Sequence, residues 1–278
     1  MKIIVESGAT KSDWRLLEGG EQKARLLRDG MNLSTTSAEA VRETFSKTLA
    51  ELGVRELEGF YFYTAGIVTP GLREEFSAAV RSVAKVEDID IQDDMVGAAR
   101  SVCGRSQGIV AILGTGSNAC FYDGVEIHRN VLSGGFIIGD DGGAAALGRL
   151  FLRDYIKNLI PSEVAREFAS EFDASYEAIV QGVYRSPAPA KYLGSLAPFI
   201  VSHCSDPYIK GLVEYNFREF ITRSLLQYDT ARYPVGVVGG FGYACREIFE
   251  PLAREAGVRI RSFEREPVDG LIAYHSAE

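Results

Sequence analysis

Three apolar stretches of the chain each run into a glycine turn: "IIVESGAT" at 3–10, "IVAILGTGSN" at 109–118 and "VGVVGGFG" at 235–242. A strand that stops at such a turn presents backbone N–H groups, and any hydroxyl at its tip, to the edge of a sheet. Donors placed there can cradle phosphate oxygens. Thr10 and Thr115 stand at two of the tips, and Lys11 follows the first. One such turn is equally what any tight turn looks like. Carboxylates stand beside the turns: Glu6 before the first, Asp93 and Asp94 in "DDMVGAAR", and Asp140 and Asp141 in "IIGDDGG". Each acid alone reads equally as a helix cap or a solvated turn residue. Together, acids and turns fit phosphoryl transfer. A divalent cation must neutralise a triphosphate, carboxylates hold its waters, and one carboxylate takes the proton of the attacking hydroxyl. An acid at a phosphate turn, as Glu6 is, then repels nothing, because both bind the same cation. No turn matches G-x-x-x-x-G-K-[ST], and none matches G-x-G-x-x-G with a later acid, which disfavours a P-loop and a dinucleotide fold.

The elements that must position these residues follow from hydrophobic periodicity. "KIIVES", "SDWRLLE" and "QKARLLRDG" predict a meander of antiparallel strands with a turn at Glu18-Gly19-Gly20. A helix is expected over 37–53, with Ser37 as cap, Val41, Phe45, Leu49 and Leu52 on one face, and Gly53 at its end. "LEGFYFYTAG" reads as a buried strand, Pro70 opens a second helix, "VEDIDIQ" is a strand, and Asp94 is expected to cap a third helix. The pattern then restarts at Gly108, again with three strands before helices, a weak internal repeat visible in pattern and not in identity. Residues 143–231 read as helical, with "SYEAIVQGVYR" and "DPYIKGLVEYNFREFITRSLLQY" each as one helix and "SPAPAKY" as a break between helices. A strand, glycine turn and helix follow, then strand "VRIRSF" and helix "EPVDGLIAYHSAE".

Composition narrows the function classes. The 278 residues carry a formal net charge of −8, are 46% hydrophobic and 24% charged, and hold no basic run. A soluble globular protein without a nucleic-acid surface is expected. No apolar run is long enough for a bilayer, and the first residues lack the apolar core of a signal peptide, so the expectation is a cytoplasmic protein without membrane contact. Cys103, Cys120, Cys204 and Cys245 lie far apart, as do His128, His203 and His275. That spacing argues against zinc, C-x-x-C or disulfide chemistry and leaves a hard cation on oxygen ligands.

Beyond these patterns, the chain resembles the N-acetylglucosamine kinase family and the related ATPase activators of 2-hydroxyacyl-CoA dehydratases, within the actin-like superfamily. "VESGATKSDW" resembles the first phosphate motif, "DDMVGAAR" the motif of the catalytic Asp, "LGTGSN" the second phosphate motif, "SGGFIIGDDGG" the Gly-Asp-Glu-Gly-Ser stretch, "VGVVGGFG" the adenosine motif and "PVDGLIAYH" the closing helix. The order holds along nearly the whole chain. The resemblance implies an α/β protein of two actin-like, ribonuclease H-like domains, 1–104 and 105–278, each a five-stranded mixed sheet flanked by helices. The second domain would carry a helical insertion at about 143–231, and a cleft between the domains would take ATP and sugar. It implies an ATP-dependent amino-sugar kinase acting at C6, with Asp94, by its spacing to Gly97, as the base. Gly8, Thr10, Lys11, Thr115 and Gly116 would bind the phosphates, and Gly239 and Gly240 the adenosine. Asn32, Asp94, Thr115, Ser117, Asn118, Gly135 and Asp140 would lie at the sugar, and Glu6 and Asp140 would hold Mg²⁺ through water. A homodimer is implied as well. A dehydratase activator, or an ATP-binding regulator with weak turnover, is the alternative. Where the family has Glu and Gly-Ser the chain has Asp141, Gly142 and Gly143. Gly240 replaces a Ser and Phe136 a Trp, departures that bear on the sugar more than on the chemistry.

Overall fold

The computed structural model describes residues 1–8, 11–32, 36–66 and 69–276. The chain forms two compact units, residues 1–105 with 267–278, and residues 106–266. The first contains β1 (Lys2–Ser7), β2 (Lys11–Glu18), β3 (Glu21–Asp29), β4 (Glu56–Thr64) and β5 (Lys85–Asp93). The second contains β6 (Gly108–Leu113), β7 (Ser117–Tyr122), β8 (Ile127–Val131), β9 (Val235–Val238) and β10 (Ile260–Glu264). The sheet orders are β3-β2-β1-β4-β5 and β8-β7-β6-β9-β10. In both, the first three strands form the antiparallel meander, and the last two run parallel to the first. The internal repeat seen faintly in the sequence is thus a repeat of topology. Each half places its first strand at the centre of a mixed sheet. A turn that follows that strand lies at its carboxyl end, where open α/β sheets bind ligands.

Local chemistry explains the elements. Gly19 and Gly20, at φ 59° and 83°, make the two-residue loop between β2 and β3, a turn that needs both residues left-handed. Ser37 accepts the N–H of Ala40, and Gly53 ends the helix Ala38–Leu52 in the left-handed conformation. Pro70 opens the helix Pro70–Arg81, with the Thr69 side chain accepting the N–H of Leu72. These two helices cover one face of the first sheet, where Ile3, Val5, Trp14, Phe45, Phe60 and Phe62 are buried. The rings of Phe45 and Phe60 meet edge-on at 4.7 Å. Burying each such side chain contributes about 1.5–3 kcal/mol. Six helices between Ala144 and Arg223 fill the expected insertion and pack into the second core.

Three expectations need correction. Asp93, not Asp94, caps the helix Asp94–Cys103, and its Oδ1 accepts the N–H of Val96. The closing helix Val268–Ser276 belongs with the first unit and not the second. It reaches there because Gly270 has no side chain: a Cβ would lie 2.3 Å from Ser101 Oγ. Leu271 then joins Ile4, Leu17, Tyr61 and Tyr63 on the second face of the first sheet. The segment "SYEAIVQGVYR" is helical as expected, Tyr176–Val180 widening without a break into a π-helical turn over Gln181–Arg185, where Gly182 abuts the Tyr192 ring. The long helix stops at Arg223, and a short 3-10 turn, Leu225–Gln227, drops Leu225 into the core.

Candidate functional site

In the first unit the end of β1 is held from within. Ser7 is fully buried. It accepts the N–H of Met31 at 2.7 Å and donates to the Met31 carbonyl at 3.0 Å. The Thr64 hydroxyl donates to the same carbonyl at 2.6 Å. This clamp ties the chain at Asn32, the next residue, to the carboxyl ends of β1 and β4. The N–H of Gly8 donates to the Lys11 carbonyl at 3.0 Å and closes the first turn. Among the described residues, a Cβ on Gly8 would meet nothing nearer than that carbonyl oxygen, at 4.0 Å. Thr10 lies outside the described residues. Lys11 is exposed at the start of β2. Glu6 is half-buried, opposite Asp13 of β2 and Tyr63 of β4 in the register.

Asp94 occupies the first turn of the helix Asp94–Cys103. That helix lies flat on β4 because Gly97 has no side chain: a Cβ would sit 3.0 Å from three carbons of Tyr63. Asp94 is exposed at the helix start, yet the protein around its carboxyl is dense enough to raise its pKa to about 6. Desolvation is the main cause and the Asp93 charge adds to it, against hydrogen bonds from the N–H groups of Met95 and Asp94. A carboxylate poised near the working pH is the kind that accepts a proton from a hydroxyl.

In the second unit the two glycine turns come together. Gly239 sits at φ 124°, and a Cβ there would fall 2.4 Å from the Leu113 carbonyl oxygen. Gly242 lies against the Leu113 side chain. Gly114, Thr115 and Gly240 line one cavity of about 470 Å³ with Ala197, Pro198, Val201 and Phe241. That volume is in the range of small-molecule sites. The carbonyls of Gly114 and Thr115 accept the N–H groups of Ala144 and Ala145, so the 114–116 turn caps the helix Ala144–Ile156. At Gly240 a Cβ would meet only open space among the described residues, which leaves room for the family's serine.

The acid turn closes on the same place. Asp140 adopts φ 53°, and its carboxylate lies against Gly116, where a Cβ would be 2.6 Å from Oδ2. The backbone of Ser117 and the side chain of Ser133 hydrogen-bond that carboxylate, but its desolvation outweighs them and raises the pKa. Ser117 is itself buried, and its hydroxyl donates to the Asp141 carbonyl at 2.6 Å. Asn118 Oδ1 accepts the N–H of Ala119. Asn216, buried in the helix Pro207–Arg223, grips the turn from behind, accepting from Gly142 N–H and donating to the Gly143 carbonyl, both at 3.1 Å. At Gly143 a Cβ would lie 2.8 Å from the Gly116 carbonyl carbon. A serine there is sterically refused, which accounts for this departure. Gly135 begins the short helix Gly135–Ile138 and is exposed, and Phe136 packs on the second core.

The arrangement joins a desolvated carboxylate to a glycine turn beside an apolar cavity. Comparisons with known structures agree with it. A candidate N-acetylglucosamine kinase from Porphyromonas gingivalis is 33% identical, with the alignment covering 100% of this chain and 99% of that one at a TM-score of 0.91. The chain belongs to the N-acetylglucosamine kinase family. A candidate N-acetylglucosamine kinase from Chromobacterium violaceum is 19% identical over 98% of both chains, TM-score 0.78. A ROK family glucokinase from Streptomyces griseus, solved with glucose and AMPPNP, is 15% identical over 98% and 97%, TM-score 0.59. These two share the fold. No model of a known protein family matches the chain, and no curated protein does. As a member of this family the protein is an ATP-dependent carbohydrate kinase. No helix among the described residues is long and apolar enough to cross a membrane.

Ser7, Ser133 and Asn216 escaped the sequence reading. Asn216 did leave a signal: it interrupts the apolar stripe Leu212, Val213, Phe217, Phe220 of its helix. The Gly116–Asp140 contact makes a prediction. Gly116→Ala pushes a side-chain oxygen and not backbone, so the protein is expected to fold while the carboxylate is displaced. Turnover should fall roughly 10- to 100-fold with an unchanged circular dichroism melt. Wild-type turnover in the variant would mean that the position of Asp140 does not matter.

Proposed function

We propose that the protein transfers the γ-phosphoryl group of ATP to a hydroxyl of an amino sugar, at C6 of a hexosamine such as N-acetylglucosamine. The observation that carries this is the Asp140 carboxylate packed against Gly116, in the turn that opens onto the 470 Å³ cavity. The apolar walls Ala197, Pro198, Val201 and Phe241 suit a purine face. Gly239 and Gly240 would back the adenosine. The N–H groups of Thr115 and Gly116, with Gly8, Thr10 and Lys11, would hold the phosphates. Asn32, Ser117, Asn118, Gly135 and Asp140 complete the sugar side of the reading, with Ser117 and Asn118 acting through the backbone they order.

Asp94 accepts the proton of the attacking hydroxyl as that oxygen bonds to the γ-phosphorus and the bond to the bridging oxygen breaks, releasing ADP. Glu6 and Asp140 are hard oxygen donors of the type Mg²⁺ prefers, and they would hold it through water. No group of three or more metal-ligating side chains comes together among the described residues, so the chain offers carboxylates to an ion and not a cage. When bound, Mg²⁺ supplies charge neutralisation at the phosphates. A cytoplasmic homodimer belongs to the same reading.

The test is a coupled ADP-release assay with Mg-ATP against N-acetylglucosamine, glucosamine, N-acetylmuramic acid, glucose and other hexoses. Turnover with an amino sugar well above that with glucose is expected. Preference for glucose would replace the acceptor, and no turnover with any sugar would overturn the kinase reading.

A further inference from the structure

The second face of the first sheet carries a polar chain that the proposed chemistry does not use. Arg100 lies on the helix that begins with Asp94. Its Nη1 donates to Tyr63 Oη at 2.7 Å and to Asp90 Oδ2 at 2.5 Å. Tyr63 Oη lies 2.7 Å from His275 Nε2. Since Arg100 donates to the hydroxyl oxygen, the hydroxyl hydrogen is left for His275. Tyr63 and His275 are 1% and 2% exposed. His275 stacks on Tyr61 at 3.6 Å, and its neighbour Tyr274 lies over the Arg100 guanidinium at 5.1 Å. The closing helix therefore holds the Asp94 helix at three points: Gly270 on Ser101, Tyr274 on Arg100, and His275 on Arg100 through Tyr63.

We propose that Arg100, Tyr63 and His275 form a positioning device, by which the closing helix fixes the Asp94 helix and hence the placement of its carboxylate. The proposal rests on the reading of Asp94 as the base. Its physical basis is rigidity. A turn that carries a reacting group by its first residue can pivot, because the first N–H groups of a helix have no partners within it. Apolar packing at Gly97 fixes how closely the helix approaches β4 but not its rotation. A guanidinium with two directional partners fixes rotation as well. Arg100 Nε and His275 Nδ1 are buried with no hydrogen-bond partner among the described residues, so the chain costs stability while its directional bonds fix one arrangement.

Tyr63→Phe keeps the ring against Gly97 and deletes only the hydroxyl. Its kcat per folded molecule should fall about 10- to 100-fold, with KM for ATP within about twofold of wild type, since ATP contacts lie elsewhere. Arg100→Lys keeps a cation able to donate to Tyr63 and Asp90, and should retain most of the kcat that Arg100→Met loses. A folded Tyr63→Phe with wild-type kcat overturns the proposal. So does an Arg100→Lys no better than Arg100→Met, which decides the matter if Tyr63→Phe fails to fold. Asp94→Asn, measured alongside, separates the two ideas. Turnover retained there overturns the base assignment. An inactive Asp94→Asn beside a fully active Tyr63→Phe overturns the positioning alone.

Discussion

Asp94→Asn is expected to lower kcat by about 10²- to 10⁴-fold, the range that a general base contributes, and to raise the melting temperature at pH 7. The two effects have one cause. The folded protein raises the Asp94 pKa to about 6, above its ordinary 3.8. Folding therefore favours the protonated form, and the stability tied to it is present below the unfolded value and lost as pH rises through about 6. At pH 7 the native state bears an ionised carboxylate that it disfavours. An amide of the same shape removes that penalty, and solvent contact at Asp94 keeps the gain modest. Binding of ATP should survive, because the turns proposed to hold the phosphates are untouched. Melting curves at pH 5 and 7 beside kcat measurements check this. The stabilisation should be greatest at pH 7, smaller at pH 5, and gone below about pH 3.8, the ordinary value. An active Asp94→Asn would reassign the base, and an inactive one that melts lower at pH 7 would mean the carboxylate is held by bonds and not desolvated.

This coupling also shows what could be read in advance. The strands, their meanders and the glycine turns were legible because each follows from period-2 alternation and from turn chemistry that is local. Glu6, Thr115, Gly116 and Asp140 could be named because they sit inside short motifs. The partners that hold them could not. Asn216 lies 73 residues beyond Gly143, whose carbonyl it holds, and nothing in either segment points to the other. Asp93 and Asp94 are adjacent acids of nearly equal capping ability, so the choice between them waits on the backbone geometry at the start of the helix. The unit that the closing helix joins is not legible for the same reason. Its sequence states that it is apolar, and only the contact of Gly270 with Ser101 states which sheet it covers. Gly143 shows the reverse case. It reads as a lost serine, yet the turn around it leaves no room for one.

The same closing helix sets the second large effect, an acid-side loss of stability carried by His275. Burial, then the charges of Arg100, Lys2 and Arg105, lower its pKa from 6.5 to about 3, with Asp90 opposing them. The groups around it are Tyr61, Tyr63 and the Lys2 ammonium on its own carbonyl. Nε2 must stay unprotonated to accept from Tyr63, and protonation would set a cation beside Arg100. Because the folded value lies below the unfolded one, the stabilisation is complete above about pH 6.5 and is lost progressively as pH falls toward 3. The full difference is on the order of a few kcal/mol, enough to matter against the marginal stability of a domain. His275→Gln cannot titrate there, and its amide oxygen can still accept from Tyr63. It should be somewhat less stable than wild type at pH 7.5, where the stack on Tyr61 is lost, and should lose less on acidification. Urea unfolding at pH 7.5, 6, 5 and 4 measures this. The two curves of unfolding free energy should converge, and then cross, as pH falls. Parallel decline would place the acid sensitivity in the carboxylates and not in the imidazole.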